Sequence, residues 1–544
     1  MNIIEDYPLK TKLLGILSLI MIIYSSILVY CQSIIGVSYW DIFVYLQNAM
    51  LFSHINIGSQ LGVPPILSLI TSIPFQLGFI SENTLFAVCG ILFVFLIIGL
   101  YLLLNEKYSP ELSFLGSIIF SMLSLVVTWA VTGSNDLPAL CFSVWAFYFT
   151  IKGLNDNFNY YYPAFLLFIV AFLCRYTEGF IFIVMLYYLL INYDKLKAQL
   201  TRKRVLSMII YALIILVVIS SVYISYQGNI PFISQFFEVS SNSQVSNVNV
   251  GYDLNQWYYF QHLPEYLTSM TVDNSYFYTL STSNNNPTIL SYVILLLVLI
   301  SLFNFVIDPL ISSSNVERRY LKITLIIIFS VLAIISYGHI SYIITELLFT
   351  LILYLYYRWL SNKDNQLDFV MFLWIGIFII LHSYHPVKVD RYIVPIFIPL
   401  VYFMIESIQQ IIKNKKKTII ILTILLLLLI PVNISYISSI TKENPHTHEE
   451  KVASQFLKEY DADYTKHNIS SDRGVAFSWY LKKYVYPTIP RVLTANNDSL
   501  ENKLNEINAK YYIDSTSNTT NINGYHAIYD NNNEEFKLKI YERD

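Results

Sequence analysis

"LLGILSLIMIIYSSILVYCQSII", Leu13 to Ile35, decides the fold. It carries no charge and exceeds the roughly 20 residues a helix needs to cross the hydrocarbon core of a bilayer. Lys10 and Lys12 precede it, and no small-residue cleavage site follows a short core. It therefore reads as a retained first span, not a removed leader. Similar runs recur at about 84–104, 112–131, 136–151, 159–174, 179–192, 205–226, 288–307, 323–337, 342–357, 368–384, 392–412 and 418–436. With the first run, these make about thirteen expected crossings.

Composition agrees. The chain has 544 residues, is 55% hydrophobic and only 13% charged, with a mean hydropathy of +0.52. Soluble domains carry roughly twice that share of charge. The net charge is -3, and no basic stripe interleaved with aromatics appears, so nucleic acid is not an expected partner. The four cysteines form no CxxC pair, and no His/Asp/Glu cluster has ligand spacing. Neither a metal nor any other cofactor is indicated. No Gly-rich phosphate loop marks a nucleotide site.

The basic residues set the expected topology. With the N-terminus inside, the inner segments collect 18 of the 34 Lys and Arg residues, including the runs 195–204 and 413–417, and thirteen more follow residue 436. Only Arg175, Lys388 and Arg391 fall in short outer loops. A cation there opposes the topology signal, so each needs a reason. Snorkelling anchors or local ion pairs, Arg175 with Glu178 and Arg391 with Asp390, would be one reason. A bound anion would be another.

The domain expected at 1–436 spans the membrane, with outer loops at 36–83 and 227–287. "GVPPILSLITSIPFQLGF" in the first loop is interrupted by Pro64, Pro65 and Pro74 and reads as interfacial, not spanning. "NQWYYFQHLPEYL" in the second is an amphipathic aromatic patch, suited to cover a substrate or lie on the membrane. The region 437–544 alternates helical and strand patterns and reads as a small extracytoplasmic α/β domain, in which "PRVLTA" is an expected strand. Asn433, Asn468, Asn497 and Asn518 each open an N-x-S/T sequon.

Two acids stand out on the outer side. Asp41 lies in "WDIFVYLQNAM", just after the first span, and Asp136 follows "TGSN" at the mouth of another. Each also fits an ordinary helix start. His339 and Glu346 read as a polar packing pair. Together, one or two acids and three cations at one membrane level suit a reaction between a lipid phosphate and a hydroxyl. An acid takes the hydroxyl proton as general base, and the cations hold the departing phosphate.

"WDIFVYLQNAM" followed by "GVPPILSLITSIPFQLG", then "TGSNDLPALCFSVWAFY", "CRYTEGFIFIV" and "VKVDRYIVPIFIPL", resemble in order and spacing the motifs of the polyprenyl-phosphate-sugar-dependent glycosyltransferases of the GT-C fold. That superfamily includes the protein mannosyltransferases and aminoarabinose transferases. The resemblance implies a polytopic helical membrane protein with an outer α/β domain. It implies a polyprenyl-phosphate sugar as donor, and a protein, glycan or lipid as acceptor among the membrane lipids. It implies Asp41 as catalytic acid/base assisted by Asp136, and Arg175, Lys388 and Arg391 on the lipid phosphate. Tyr45, one helical turn after Asp41, joins His385 and Tyr392 as shaping residues. Ile42 stands where many relatives have a second acid, and the Trp-Trp-Asp signature of oligosaccharyltransferases is absent. A lipid-diphosphate-dependent polymerase or ligase, and a transporter or flippase, are the competing readings. A transporter would place its charges near the midplane in repeated halves.

Overall fold

The computed structural model describes residues 8–227, 254–268, 287–312, 319–360, 366–440, 442–495, 498–515, 519, 521–531 and 536–544. Its first half runs α1 (Leu9–Ile35), α2 (Trp40–Phe52), α3 (Ile66–Gln76), α4 (Glu82–Leu104), α5 (Pro110–Ser121), α6 (Ser124–Trp129), α7 (Asp136–Asn155), α8 (Tyr161–Cys174), α9 (Ile181–Ile191), α10 (Tyr193–Gln199) and α11 (Arg202–Gln227). Then come α12 (Tyr258–Thr268), α13 (Ile289–Ser312), α14 (Arg319–Ser336), α15 (Tyr342–Leu360), α16 (Gln366–Tyr384), α17 (Phe397–Ile412) and α18 (Lys415–Ser439).

Helices cover most of the described residues in each of the thirteen apolar segments. Nine helical segments among the described residues are long and apolar enough to cross a membrane, or ten if the bent pair α9–α10 counts as one. The remainder differ for local reasons. The segment 112–131 breaks between α5 and α6, and α8 and α14 belong to shorter apolar helices. α3 spans only 11 residues; it starts after Pro65 and contains Pro74 near its end, as an interfacial helix would. Many large apolar side chains of the spanning helices, such as Ile210, Leu213 and Val217 of α11, are exposed. In a chain with these spans that is the surface meeting lipid.

The two ends of the bundle differ. At one end Tyr101 of α4 donates to the Lys10 carbonyl (2.9 Å), Lys107 pairs with Asp368 at the start of α16 (2.9 Å), and Lys415 pairs with Glu111 (2.9 Å). The Lys/Arg-rich turns gather there. The opposite end carries α2, the starts of α7 and α17, and the C-terminal domain.

That domain contains α19 (Pro445–Tyr460), α20 (Gly474–Leu481), α21 (Pro490–Ala495), α22 (Leu500–Ile507) and a five-stranded sheet. The strands are β1 (Asn468–Ser471), β2 (Tyr486–Pro487), β3 (Ala509–Asp514), β4 (Tyr525–Asp530) and β5 (Lys539–Arg543), in the order β2-β1-β3-β5-β4. β1 pairs in parallel with β2 and β3, and the β4–β5 hairpin adds antiparallel to β3. The expected strand at "PRVLTA" is α21 instead; Pro490 opens it, and proline suits a first helical position.

The domain shares a core with α2. Val475, Ala476 and Trp479 of α20 join Ile42, Phe43, Leu46 and Phe75 in one buried cluster. Arg473 lies over the rings of Trp40 (5.4 Å) and Phe43 (5.9 Å) while its Nε pairs with the fully buried Glu450. The domain is therefore fastened to the helix that carries Asp41. Among the sequons, Asn433 is buried in α18, donating to Met122 and accepting from Tyr24, and Asn468 is tied to Ile507. Asn497 and Asn518 lie outside the described residues.

Candidate active site

Three chain reversals assemble the site. α1 ends at Gly36, whose φ of +76° favours glycine, and an extended stretch leads to α2. Asp41 thus falls in the first turn of α2, where the helix dipole favours an acid. Gly133, with φ +90°, sits so close to α2 that a Cβ would lie 3.1 Å from Ile42 and Leu85. This close approach brings the 133–136 turn, and Asp136 at the head of α7, against α2. Arg175 terminates α8 in an extended conformation, and Arg391 enters on the 3-10 turn Asp390–Ile396.

These residues form a chain of alternating charge. Arg391 Nη2 donates to Asp41 Oδ2 (2.6 Å) and Nη1 to the Tyr39 hydroxyl (2.6 Å), and its Nε lies 3.7 Å from Asp136 Oδ2. Arg175 Nη1 lies 2.9 Å from Asp136 Oδ1. The Ser134 hydroxyl donates to Asp136 Oδ2. The Arg391 guanidinium lies 4.6 Å from the Tyr39 ring and 5.4 Å from the Trp129 ring. Tyr392 packs near both cations, 5.0 Å from the Arg175 guanidinium and 5.9 Å from that of Arg391.

Exposure separates the two acids. The Asp136 side chain is 2% exposed, enclosed by its two cations, whereas that of Asp41 is 42% exposed. Arg175 keeps a buried Nη2 without a hydrogen-bond partner among the described residues. The site therefore offers one accessible carboxylate beside two buried guanidiniums, each with a buried N–H, Arg175 Nη2 and Arg391 Nε, that is not hydrogen-bonded among the described residues.

The local ion pairs considered from sequence do not form. Glu178 is buried and accepts from Ser143 (2.7 Å), and the Asp390 carboxylate accepts the Arg391 backbone N–H (2.7 Å). Both arginines reach across the fold instead. Tyr45 is buried beside Asp41, and burial pushes its hydroxyl pKa well up, as it does for Tyr39. Lys388 is buried and donates to the carbonyls of Ser383 (2.6 Å), His385 (2.6 Å) and His382 (3.3 Å), closing the end of α16. Its ammonium lies 5.9 Å from the Tyr259 ring of α12, and the Tyr259 hydroxyl bonds Val389 on both its N–H and carbonyl. The aromatic patch of the second outer loop thus braces the 385–389 hairpin. His385 Nδ1 accepts the Val387 N–H (3.1 Å), its ring meets Tyr392 edge-on, and burial lowers its pKa to about 4, so it is neutral.

Four residues not singled out in the sequence complete the site. Tyr39, Trp129 and Ser134 hold its charges, and His382 packs 5.3 Å from the Tyr392 ring, buried, with neither ring nitrogen hydrogen-bonded among the described residues. Tyr39 and Ser134 carried a local signal, each two residues before an acid, Asp41 and Asp136. His339 and Glu346 are not a pair: His339 is exposed and Glu346 buried, with no bond between them among the described contacts. Among the described residues no group of three or more His, Cys, Asp or Glu is placed to hold a metal ion.

Residues 62–224 match the sequence model of the family described as Dolichyl-phosphate-mannose-protein mannosyltransferase. That stretch contains Asp136 and Arg175. The chain superimposes on ArnT from Cupriavidus metallidurans in the apo state with a TM-score of 0.55 at 8% identity, covering 96% of this chain and 97% of that one. ArnT bound to undecaprenyl phosphate gives 0.52 at 10% identity over the same shares. The apo oligosaccharyltransferase of Archaeoglobus fulgidus gives 0.52 at 11% identity, over 95% of this chain and 70% of that one. No curated protein matches the sequence. The chain therefore shares the fold of these membrane proteins, and residues 62–224 resemble the mannosyltransferase family.

Proposed function

We propose that the protein transfers a sugar from a polyprenyl-monophosphate donor to an acceptor hydroxyl at the membrane surface. The observation that carries this is the half-exposed Asp41 beside the buried Arg391 and Arg175, joined through Asp136. The mannosyltransferase family match and the fold shared with ArnT, a protein seen with undecaprenyl phosphate, support the donor class.

The acceptor oxygen forms its bond to the anomeric carbon as its proton passes to Asp41. The anomeric C–O bond to phosphate breaks, and the lipid monophosphate leaves with the bonding pair. The charge gathering on its oxygens falls to Arg391 and Arg175, whose planar forks suit phosphate. Asp136 holds the two forks in register. Tyr392 and the neutral His385 shape the floor, Tyr45 supports the turn bearing Asp41, and Lys388 sustains the cation set from behind by fixing the 385–389 hairpin.

Both Nη groups of Arg391 already have partners, so a phosphate that engages them displaces one. Asp41 is the exposed one. Phosphate binding would thus turn Asp41 from an ion-pair partner into a free base, and the donor binds first. The orientation follows from the positive-inside rule: N-terminus and basic turns in the cytoplasm, site and C-terminal domain on the opposite face.

The test uses purified protein and a panel of radiolabelled polyprenyl-monophosphate sugars with envelope acceptors. Label should leave the donor with wild type and not with Asp41→Asn. Consumption of only lipid-diphosphate donors would overturn the monophosphate assignment.

A further inference from the structure

An apolar cavity of about 210 Å³ lies at the basic end of the bundle, where α7 to α11 meet. Phe158, Phe168, Phe182, Leu189, Leu196 and Met208 are among its walls. From Phe182 to Leu189 the cavity follows α9 for about 10 Å. It opens sideways, since its lining residues Phe182, Leu186 and Leu200 are exposed. That opening faces hydrocarbon if the helices span as their composition requires.

The chain turns by 86° between Tyr176–Ile191 and α10. α10 therefore crosses the end of the bundle, at the depth of lipid headgroups. Residues 193–204 carry Lys195, Lys197, Arg202, Lys203 and Arg204 against one carboxylate, Asp194, and all six are exposed. Lys195 and Lys197 flank Leu196, a cavity wall. Arg204 donates to the Gln199 carbonyl (3.0 Å), and its guanidinium lies 5.1 Å from the ring of Phe158, another wall. Cations thus rim the mouth of an apolar slot.

We propose that this slot is a binding site for an anionic phospholipid of the adjoining leaflet. One acyl chain enters the cavity, and the headgroup phosphate rests on Arg202, Lys203 and Arg204. A basic cluster that only fixed topology would need no cavity beside it. An acyl slot for any lipid would need no net positive rim. The site lies at the end of the bundle away from Asp41 and does not depend on the transfer reaction.

The test is lipid binding by the full-length protein, measured by native mass spectrometry with phosphatidylglycerol and phosphatidylcholine. Wild type should retain phosphatidylglycerol about tenfold more strongly, with a preference that weakens in salt. Met208→Trp, on the lightly packed α11, fills the slot and leaves every charge in place. It should abolish the preference, as should Arg202→Gln/Lys203→Gln/Arg204→Gln. Leu186→Trp, at an exposed wall, is the second filling variant should the first not fold. Equal retention of the two lipids by wild type would overturn the proposal. So would a preference that survives slot filling, which would mean adhesion by charge alone, or displacement of phosphatidylglycerol by undecaprenyl phosphate at equal concentration.

Discussion

Each end of the bundle holds a carboxylate met by a cation and tyrosines, yet the two clusters are built to different ends. At the basic end Asp368 accepts from Lys107 (2.9 Å) and from the Tyr402 hydroxyl, while Glu406 takes Tyr108 (3.1 Å) and lies 3.8 Å from Lys107. Its acids are covered, with side chains 9% and 16% exposed. At the other end Asp136 is equally enclosed, but Asp41 turns 42% of its side chain outward. Buried ion pairs are common devices for fixing helices and are weak signs of chemistry by themselves. What separates the second cluster is one acid left within reach of a substrate.

The same conservative change at the two ends should therefore have opposite signatures. Asp41→Asn should lower transfer about 10³-fold, the range for losing a general base, with the thermal midpoint in detergent unchanged. Asp368→Asn should destabilise the fold by about 3 kcal/mol, because Lys107 loses its buried partner. Turnover per folded molecule should stay near wild type. Thermal melts and initial rates on both variants decide it. Equal loss of rate in both would erase the distinction between the clusters.

Arg391 sharpens the comparison. Arg391→Lys keeps the charge and loses the fork that serves Asp41 and Tyr39 together, so transfer should fall about 10²-fold. If Asp41 competes with phosphate for Arg391, Asp41→Asn should bind undecaprenyl phosphate up to about fivefold more tightly, the scale of a half-exposed ion pair. Titration in nanodiscs measures it. Weaker binding by the inactive variant would show that Asp41 helps to hold the donor and is not displaced by it.

The spans and the odd charges were legible in the sequence, because apolar length and the scarcity of Lys and Arg in the outer loops are one-dimensional signals. Arg175 and Arg391 stood out in that way, and both reach the site. Their partners were not legible. Neighbouring acids suggested Arg175–Glu178 and Arg391–Asp390, but a helix ends at Arg175 and a 3-10 turn begins at Asp390, so each guanidinium swings to an acid on another element. Asp41 lies 350 residues from Arg391, and no local pattern encodes that meeting. Trp129, which meets Arg391 from another element, was hidden for the same reason. Trp129 closes α6, a helix born of a break in a segment that reads as one continuous span.

Glu450 carries the smallest expected effect and tests whether the C-terminal domain steadies α2. Burial alone would raise its pKa, yet Arg473 and His446 outweigh burial and hold it below the usual glutamate value. A depressed folded pKa stabilises the fold above the unfolded value, about 4.3, and that stabilisation is lost as pH falls through the folded pKa. Once Glu450 is protonated, Arg473 loses the partner that keeps it over Trp40 and Phe43. Trp479, stacked on Phe75 of α3, then reports the loosening of α20 by fluorescence. Wild type should show a transition as pH is lowered from about 6 to about 3. Glu450→Gln should be loosened already at neutral pH and lack that step. A transition unchanged in Glu450→Gln would assign the acid response to other carboxylates. The domain would then rest on α2 through its apolar core alone.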